Sequence, residues 1–165
     1  MYYGELCVKV KKCGDMGSIT FYTRARKKKV LPPDEQIHVG ESIEISTKST
    51  DTLRTILLDT YALISRGMCK KYRSEDGVIT WSLTPSHALE VMSGPVIMTF
   101  MPKKGHIEMS IECYGENCME TTKLGCIRFS ETGDISFVQK LMAALNVLDV
   151  TPQEARDYKR TIGEL

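Results

Sequence analysis

A run of cations near the N-terminus is the feature of the sequence best suited to binding a partner. Arg24, Arg26, Lys27, Lys28 and Lys29 place five positive charges within six positions. Because so many like charges cannot all find acidic partners nearby, they would attract a polyanion and release the counterions condensed on it. Contacts of this kind hold phosphate groups and do not read a base sequence.

Neighbouring residues could extend such a surface. Phe21 and Tyr22 precede the run and could stack on the bases of single-stranded RNA, while Lys11 and Lys12 lie on the segment before it. The same cations would suit an anionic membrane surface, where each contributes about 1 kcal/mol near the lipid headgroups. A solvated edge strand, on which lysines discourage aggregation, is the alternative interpretation. We expect the run, with Lys11 and Lys12, to bind nucleic acid or an anionic membrane.

Catalytic motifs do not occur in the sequence, which has no glycine-rich phosphate loop, no Gly-x-Ser-x-Gly and no His-Glu-x-x-His. Cys69 and His87 could be a nucleophile and its base, but two such residues are expected by chance in a chain of this length. Cys113, Cys118 and Cys126 lack the spacing of structural zinc ligands, and we favour packing as reduced thiols. We therefore expect no enzymatic activity, metal, cofactor or small-molecule substrate.

Composition predicts an ordinary globular domain. The chain has 165 residues, of which 42% are hydrophobic and 26% charged, enough for one domain with a sizeable core. Its net charge of +1 divides into +6 over residues 1–29 and −5 over the rest, so one end would favour anions. The start of the chain lacks the layout of a signal peptide, and the longest apolar runs are too short to cross a bilayer, so we expect synthesis in the cytosol.

Periodicity predicts a mixed α+β fold. From His106 to Cys113 apolar and polar residues alternate, which is typical of a half-buried antiparallel strand. Three- and four-residue apolar spacing predicts two longer helices, around 53–64 and 138–145. Pro85 and Pro152 each stand at the first position of a predicted short helix. We expect the whole chain, residues 1–165, to form one α+β domain, mainly an antiparallel sheet packed against two longer helices and two short ones.

Local signals set several helix ends. Ser49 or Thr50 is the expected N-cap of the first longer helix. Thr151 and Glu154 have the spacing of a capping box, in which each residue satisfies a backbone N–H of the other. Gly94, followed by a proline, would close the short helix that begins at Pro85.

The stretch 103–147 resembles a known viral family. A Lys-Gly turn, the alternating strand, an acidic turn, a short strand at 124–129 and a long apolar helix follow one another there. This layout is similar to the C-terminal half of rhabdovirus matrix proteins, and the rest of the chain agrees in outline, with an early strand followed by a long helix. The basic run is internal here, and Pro32 and Pro33 are followed by Asp34, so the Pro-Pro-x-Tyr motif of animal-virus members is absent. A plant-infecting member fits these features better.

The resemblance implies a non-enzymatic virion protein that assembles with itself, with the viral nucleocapsid or RNA, and with an anionic membrane surface. Its expected locations are the virion and the host cytoplasm, peripheral to membranes, with the nucleus as a further compartment. Methionine serves adaptable contact surfaces, so we expect Met101, Pro102 and Met119, which lie at predicted strand and turn edges, to contribute to self-association. The alternative is a small nucleic-acid-binding regulator with no assembly role.

Overall fold

The computed structural model describes most of the chain in segments. These segments are residues 2–25, 37–66, 72–74, 79–83, 89–93, 96–104, 106–113, 125–130 and 134–164. In chain order the elements are β1 (Tyr2–Tyr3), β2 (Glu5–Cys13), β3 (Met16–Arg24), β4 (Ile37–His38), β5 (Ser42–Thr47), α1 (Thr50–Arg66), β6 (Tyr72–Ser74), β7 (Ile79–Leu83), β8 (Leu89–Ser93), β9 (Val96–Lys103), β10 (His106–Cys113), β11 (Gly125–Phe129), α2 (Asp134–Val147), α3 (Pro152–Thr161) and β12 (Ile162–Glu164).

Two antiparallel sheets carry the fold within these segments. The N-terminal sheet has three strands in the order β2-β3-β5, and the large sheet has seven in the order β11-β10-β9-β8-β7-β6-β12. The short strands β1 and β4 pair in parallel beside them. β12 pairs with β6, so that Ile162 stands opposite Ser74, and β12 is one edge strand of the large sheet.

The helices and both sheets share one hydrophobic core. The predicted alternation along β10 is confirmed, because Ile107, Met109 and Ile111 are buried. Leu53 of α1 and Leu141 of α2 are fully buried in the same cluster. The predicted α+β class, with a mainly antiparallel sheet packed against helices in one domain, is therefore confirmed. No helix in the described segments is both long and apolar enough to span a membrane.

Side chains cap two helices as the sequence predicts. Oγ of Ser49 accepts a hydrogen bond from the backbone N–H of Thr52 at 3.4 Å, so Ser49 caps α1. Before α3, the N–H of Glu154 donates to Oγ1 of Thr151 at 3.1 Å, and the N–H of Thr151 donates to Oε1 of Glu154 at 3.3 Å. The capping box is therefore formed in full.

One predicted helix is wrong over its described part. The short helix expected to begin at Pro85 and to close at Gly94 overlaps strand β8, which pairs with β7 on one side and β9 on the other. The register pairs Thr80 with Met92 on one side and Met92 with Ile97 on the other, so β8 is an interior strand of the sheet. Pairing on both sides outweighs the local preference of proline for a helix start, and the described segments hold two longer helices and one short one.

A buried carboxylate joins α3 to α1. Asp59 is fully buried, and the hydroxyl of Tyr158 donates a hydrogen bond to its Oδ1 atom. Burying an acid is costly unless polar partners satisfy it. The Tyr158 hydroxyl therefore helps to make Asp59 tolerable in the core and fixes α3 against α1.

Replacing Tyr158 by phenylalanine should lower the free energy of unfolding by about 1–3 kcal/mol, because the buried carboxylate loses a donor. Urea denaturation measures this difference. Tyr61→Phe is the matched control, since Tyr61 is also buried on α1 and its hydroxyl forms no hydrogen bond within the described part of the chain. Equal losses in the two variants would contradict the role given to the Tyr158 hydroxyl.

Candidate nucleic-acid interface

The pairing of β2 with β3 sorts the hairpin into two faces. Leu6, Val8 and Phe21 share one face and are buried in the core. Because side chains alternate along a strand, Lys9 and Lys11 point the other way, and both are exposed. The side of this hairpin away from the core is called the outer face, and it consists of Glu5, Cys7, Lys9 and Lys11 on β2 and Ser18, Thr20, Tyr22 and Arg24 on β3. Cys7 is buried on this face.

Tyr22 is the aromatic side chain of the outer face. Its ring is half-buried, and Nζ of Lys9 lies 5.4 Å from the ring centre, within the range of a cation–π contact. Lys11 forms no ion pair with any described residue, so its charge is available to a ligand. The expectation that Phe21 could also stack on a base is wrong, because Phe21 is fully buried and its ring packs edge-on against Phe137.

Arg24 is held by an acid at one end of the outer face. Its Nε atom donates to Oε1 of Glu5 at 2.7 Å, and Nζ of Lys140 lies 3.4 Å from Oε2 of the same carboxylate. Burial alone would raise the pKa of Glu5, but the hydrogen bond from Arg24 and the charge of Lys140 together outweigh burial and lower that pKa. The hydrogen bond to Glu5 in turn raises the pKa of Arg24. Arg24 is thus partly neutralised, although 49% of its side chain is exposed.

Lys12 lies at the other end of the hairpin. The register pairs Lys12 with Gly17 and Glu5 with Arg24, so Lys12 and Arg24 stand about 24 Å apart along the strands at the usual rise per residue. Nζ of Lys12 contacts Oδ2 of Asp149 at 2.7 Å, and this hydrogen bond lowers the pKa of Asp149. The structure therefore does not bring Lys12 and Arg24 together, and each is paired with an acid.

The other four cations of the run, at 26–29, lie outside the described residues. Arg24 and His38, which lie on either side of this stretch in the sequence, both approach Gly4. The backbone N–H of Gly4 donates to the carbonyl oxygen of His38 at 3.0 Å. Gly4 also passes so close to Arg24 that a Cβ atom there would lie 2.5 Å from the Arg24 carbonyl oxygen.

Three aromatic rings, from Tyr3, His38 and His106, meet beside Gly4. Tyr3 stacks on His106 with their centroids 4.3 Å apart, and its ring is tilted against that of His38 at 5.5 Å. Oε1 of Glu41 contacts Nε2 of His38 and accepts a hydrogen bond from Nε of Arg128 at 3.1 Å. These contacts join β1, β4, β10 and β11 beside Gly4.

An imidazole beside a carboxylate could act as a general base, but the neighbouring thiol is not activated. Burial raises the pKa of Cys126 to about 11, and the hydrogen bond and charge of Glu108 add to this. Such a thiol stays protonated at neutral pH and is a poor nucleophile. Cys69 and His87 lie outside the described residues. No three or more His, Cys, Asp or Glu side chains of the described chain are grouped so as to hold a metal ion.

The residues expected to mediate self-association are only partly described. Met101 is half-buried on β9, Pro102 follows it on the same strand, and Met119 lies outside the described residues. Among the described residues, Met16, Val39 and Val147 are the large apolar side chains that are well exposed. Met16 is 56% exposed at the start of β3, and Val147 is 47% exposed at the end of α2.

Lys9, Met16 and Val147 are not singled out by the sequence patterns. For Lys9 a signal exists, because it stands two residues from Lys11 and must share its face of the strand. For Met16 and Val147 there is none, because their exposure depends on how the ends of β3 and α2 pack. These three residues emerge only from the folded arrangement.

The ion pairs of Glu5 should make stability depend on pH. Because the pKa of Glu5 is lowered on folding, its contribution is fully present above the unfolded value, near 4.5, and is lost as the pH falls through the folded value. Glu5→Gln should therefore reduce the free energy of unfolding at neutral pH and have progressively less effect below 4.5. Denaturant titrations across pH measure this. Asp15→Asn, in the hairpin turn, controls for the change in net charge, and an effect of Glu5→Gln that is constant with pH would contradict the ion-pair account.

Comparison with known proteins adds no relative. No family model, no curated protein and no solved structure matches the chain. The function is therefore argued from the outer face and from the contacts around it.

Proposed function

We propose that the protein is a non-enzymatic binding protein that holds single-stranded RNA on the outer face of its N-terminal sheet. The observation that carries the proposal is the placement of two exposed cations, Lys9 and Lys11, beside the half-buried ring of Tyr22 on one open sheet surface. Cations that track a phosphate backbone and an aromatic ring on which a base can stack are the elements of such a surface.

The surface chemistry favours RNA over a small anion. Lys9 and Lys11 lie on alternate positions of β2 and can contact successive phosphates, while the hydroxyls of Ser18 and Thr20 on β3 can bond to sugar hydroxyls. Tyr22 supplies the stacking surface. None of these groups defines a particular base, so binding would be insensitive to sequence.

The wider role that we propose is assembly of a virion as a matrix protein, following the resemblance over residues 103–147. In that role the outer face would contact the ribonucleoprotein, and the cations at 26–29 would contact either RNA or an anionic membrane. A small RNA-binding regulator would use the same face without assembling. The two roles differ in self-association and in lipid binding.

Replacing Lys9 and Lys11 together by alanine should weaken RNA binding and flatten its dependence on salt. Each lost phosphate contact reduces the slope of log affinity against log salt by roughly 0.7 for single strands, or about 1.4 for the pair. Tyr22→Ala should cost about 1–3 kcal/mol of binding if one base stacks there, whereas Tyr22→Phe should bind like the wild type. Fluorescence anisotropy with a single-stranded oligonucleotide across a salt series measures both effects.

Two further variants define which cations act. Arg156→Ala with Arg160→Ala removes two exposed cations from α3 and should leave RNA binding unchanged. Lys27→Ala with Lys28→Ala and Lys29→Ala tests the run itself against RNA and against vesicles of anionic lipid. Loss of RNA binding in this triple variant alone, with no effect of Lys9 and Lys11, would move the interface from the outer face to the run.

Self-association is the second candidate activity, and exposed apolar side chains favour it. Met16 and Val147 are 56% and 47% exposed. Met16 starts β3, next to the hairpin turn, and Val147 ends α2. The ion pair between Lys12 and Asp149 joins this end of the hairpin to the segment after α2. A contact between copies at this end would leave most of the outer face open to RNA.

Sedimentation velocity at low salt should show particles that grow with protein concentration, because a matrix protein assembles without a fixed end point. Replacing Met16 by glutamate should reduce this growth by placing a charge in the contact. Met101→Glu tests the contact expected from the sequence. A wild-type protein that remains monomeric or dimeric at all concentrations, and changes size only when RNA is added, would favour the regulator over the matrix protein.

A further inference from the structure

A polar cluster where α2 packs against β2 borders the proposed RNA surface at the Glu5 end of the outer face. Nζ of Lys140 lies 3.4 Å from Sγ of Cys7 and 3.4 Å from the carbonyl oxygen of Leu6. Oε2 of Glu5 lies 3.4 Å from the same nitrogen. An amine, a thiol and a carboxylate therefore meet at one point.

Packing holds the amine and the thiol in contact. Cys7 is 1% exposed and is fixed opposite Tyr22 by the register of the hairpin. Lys140 lies between the buried residues Phe137 and Leu141 on α2, and 20% of its side chain is exposed. The sulfur and the nitrogen are therefore brought together by elements that are distant in the sequence. A small oxidant would have to reach the sulfur past the partly exposed Lys140 side chain.

We propose that Cys7 and Lys140 form an oxidative crosslinking site, in which the thiol and the amine become joined by an S–N bond. Hydrogen peroxide first oxidises the Cys7 thiol to a sulfenic acid, so the O–O bond breaks and one oxygen leaves as water. Lys140 then loses a proton to solvent and attacks the sulfur. The S–N bond forms as the S–O bond breaks, and the sulfenic oxygen leaves as a second water.

The reaction consumes one peroxide, removes two hydrogens from the protein and yields two waters. Sulfenic acids condense with thiols and with nitrogen nucleophiles, and here the amine is the nucleophile in contact with the sulfur. The other described thiols differ: Cys13 is exposed and Cys126 has a raised pKa, and no lysine nitrogen contacts either sulfur within the described residues. The bond would link positions 133 residues apart, which restricts the unfolded chain as a disulfide does.

Peroxide treatment followed by non-reducing digestion and mass spectrometry tests the site. The expected product is a peptide containing Cys7 joined to one containing Lys140, lighter by two hydrogens than the sum of the two and separated again by a thiol reductant. The oxidised wild-type protein should also unfold at a higher Tm than the reduced protein.

Lys140→Arg is the decisive variant, because its guanidinium keeps the charge beside Glu5 but is a poor nucleophile. It should abolish the linked peptide and leave Cys7 to proceed to the sulfinic acid. Lys12→Arg, far from the cluster, should leave the linked peptide unchanged. The proposal is overturned if wild-type Cys7 resists peroxide, if it accumulates as sulfinic acid without joining Lys140, or if the linked peptide retains an oxygen atom. RNA binding by the outer face does not depend on any of these outcomes.

Discussion

One side of the β2–β3 hairpin is buried in the core through Leu6, Val8 and Phe21. Because side chains alternate along a strand, Lys9 and Lys11 must lie on the opposite side. A shift of one residue in this register would expose the apolar set and bury the lysines, so burial of one face specifies the register strongly. The same apolar residues that form the core therefore hold the proposed RNA surface open. Because the core residues occupy the opposite face, a substitution of Lys9 or Lys11 need not disturb the core.

Charge compensation divides the cations into two groups. Arg24 and Lys12 are each paired with an acid, at opposite ends of the hairpin. The ion pair of Arg24 with Glu5 joins β3 to β2, and that of Lys12 with Asp149 joins β2 to the segment after α2. Lys9 and Lys11 are exposed without acidic partners among the described residues. Of the four described cations in residues 1–29, the fold therefore leaves Lys9 and Lys11 available to a ligand and pairs Lys12 and Arg24 with acids.

Features that depend on neighbours in sequence could be predicted from the sequence. The alternation along β10, the Ser49 cap and the capping box before α3 all reflect local geometry. Strand β8 could not be predicted in this way, because its two partner strands outweigh the proline signal before it. The separation of Lys12 from Arg24, and the contact between Cys7 and Lys140, depend on strand register and on helix packing. Such contacts join residues far apart along the chain, and local sequence patterns do not predict them.

The pairing of β12 with β6 has a consequence for how the protein is made. Ile162 can meet Ser74 only after the ribosome has released the residues of α3 and β12, so the edge of β6 lacks this partner until then. Contacts between such distant segments form slowly because a long loop must close first, and an unpaired strand edge can recruit another chain. The N-terminal sheet closes among residues 5–47 and can form early. Newly made chains would therefore pass through a state in which the N-terminal sheet is complete while the large sheet is still open to other nascent chains.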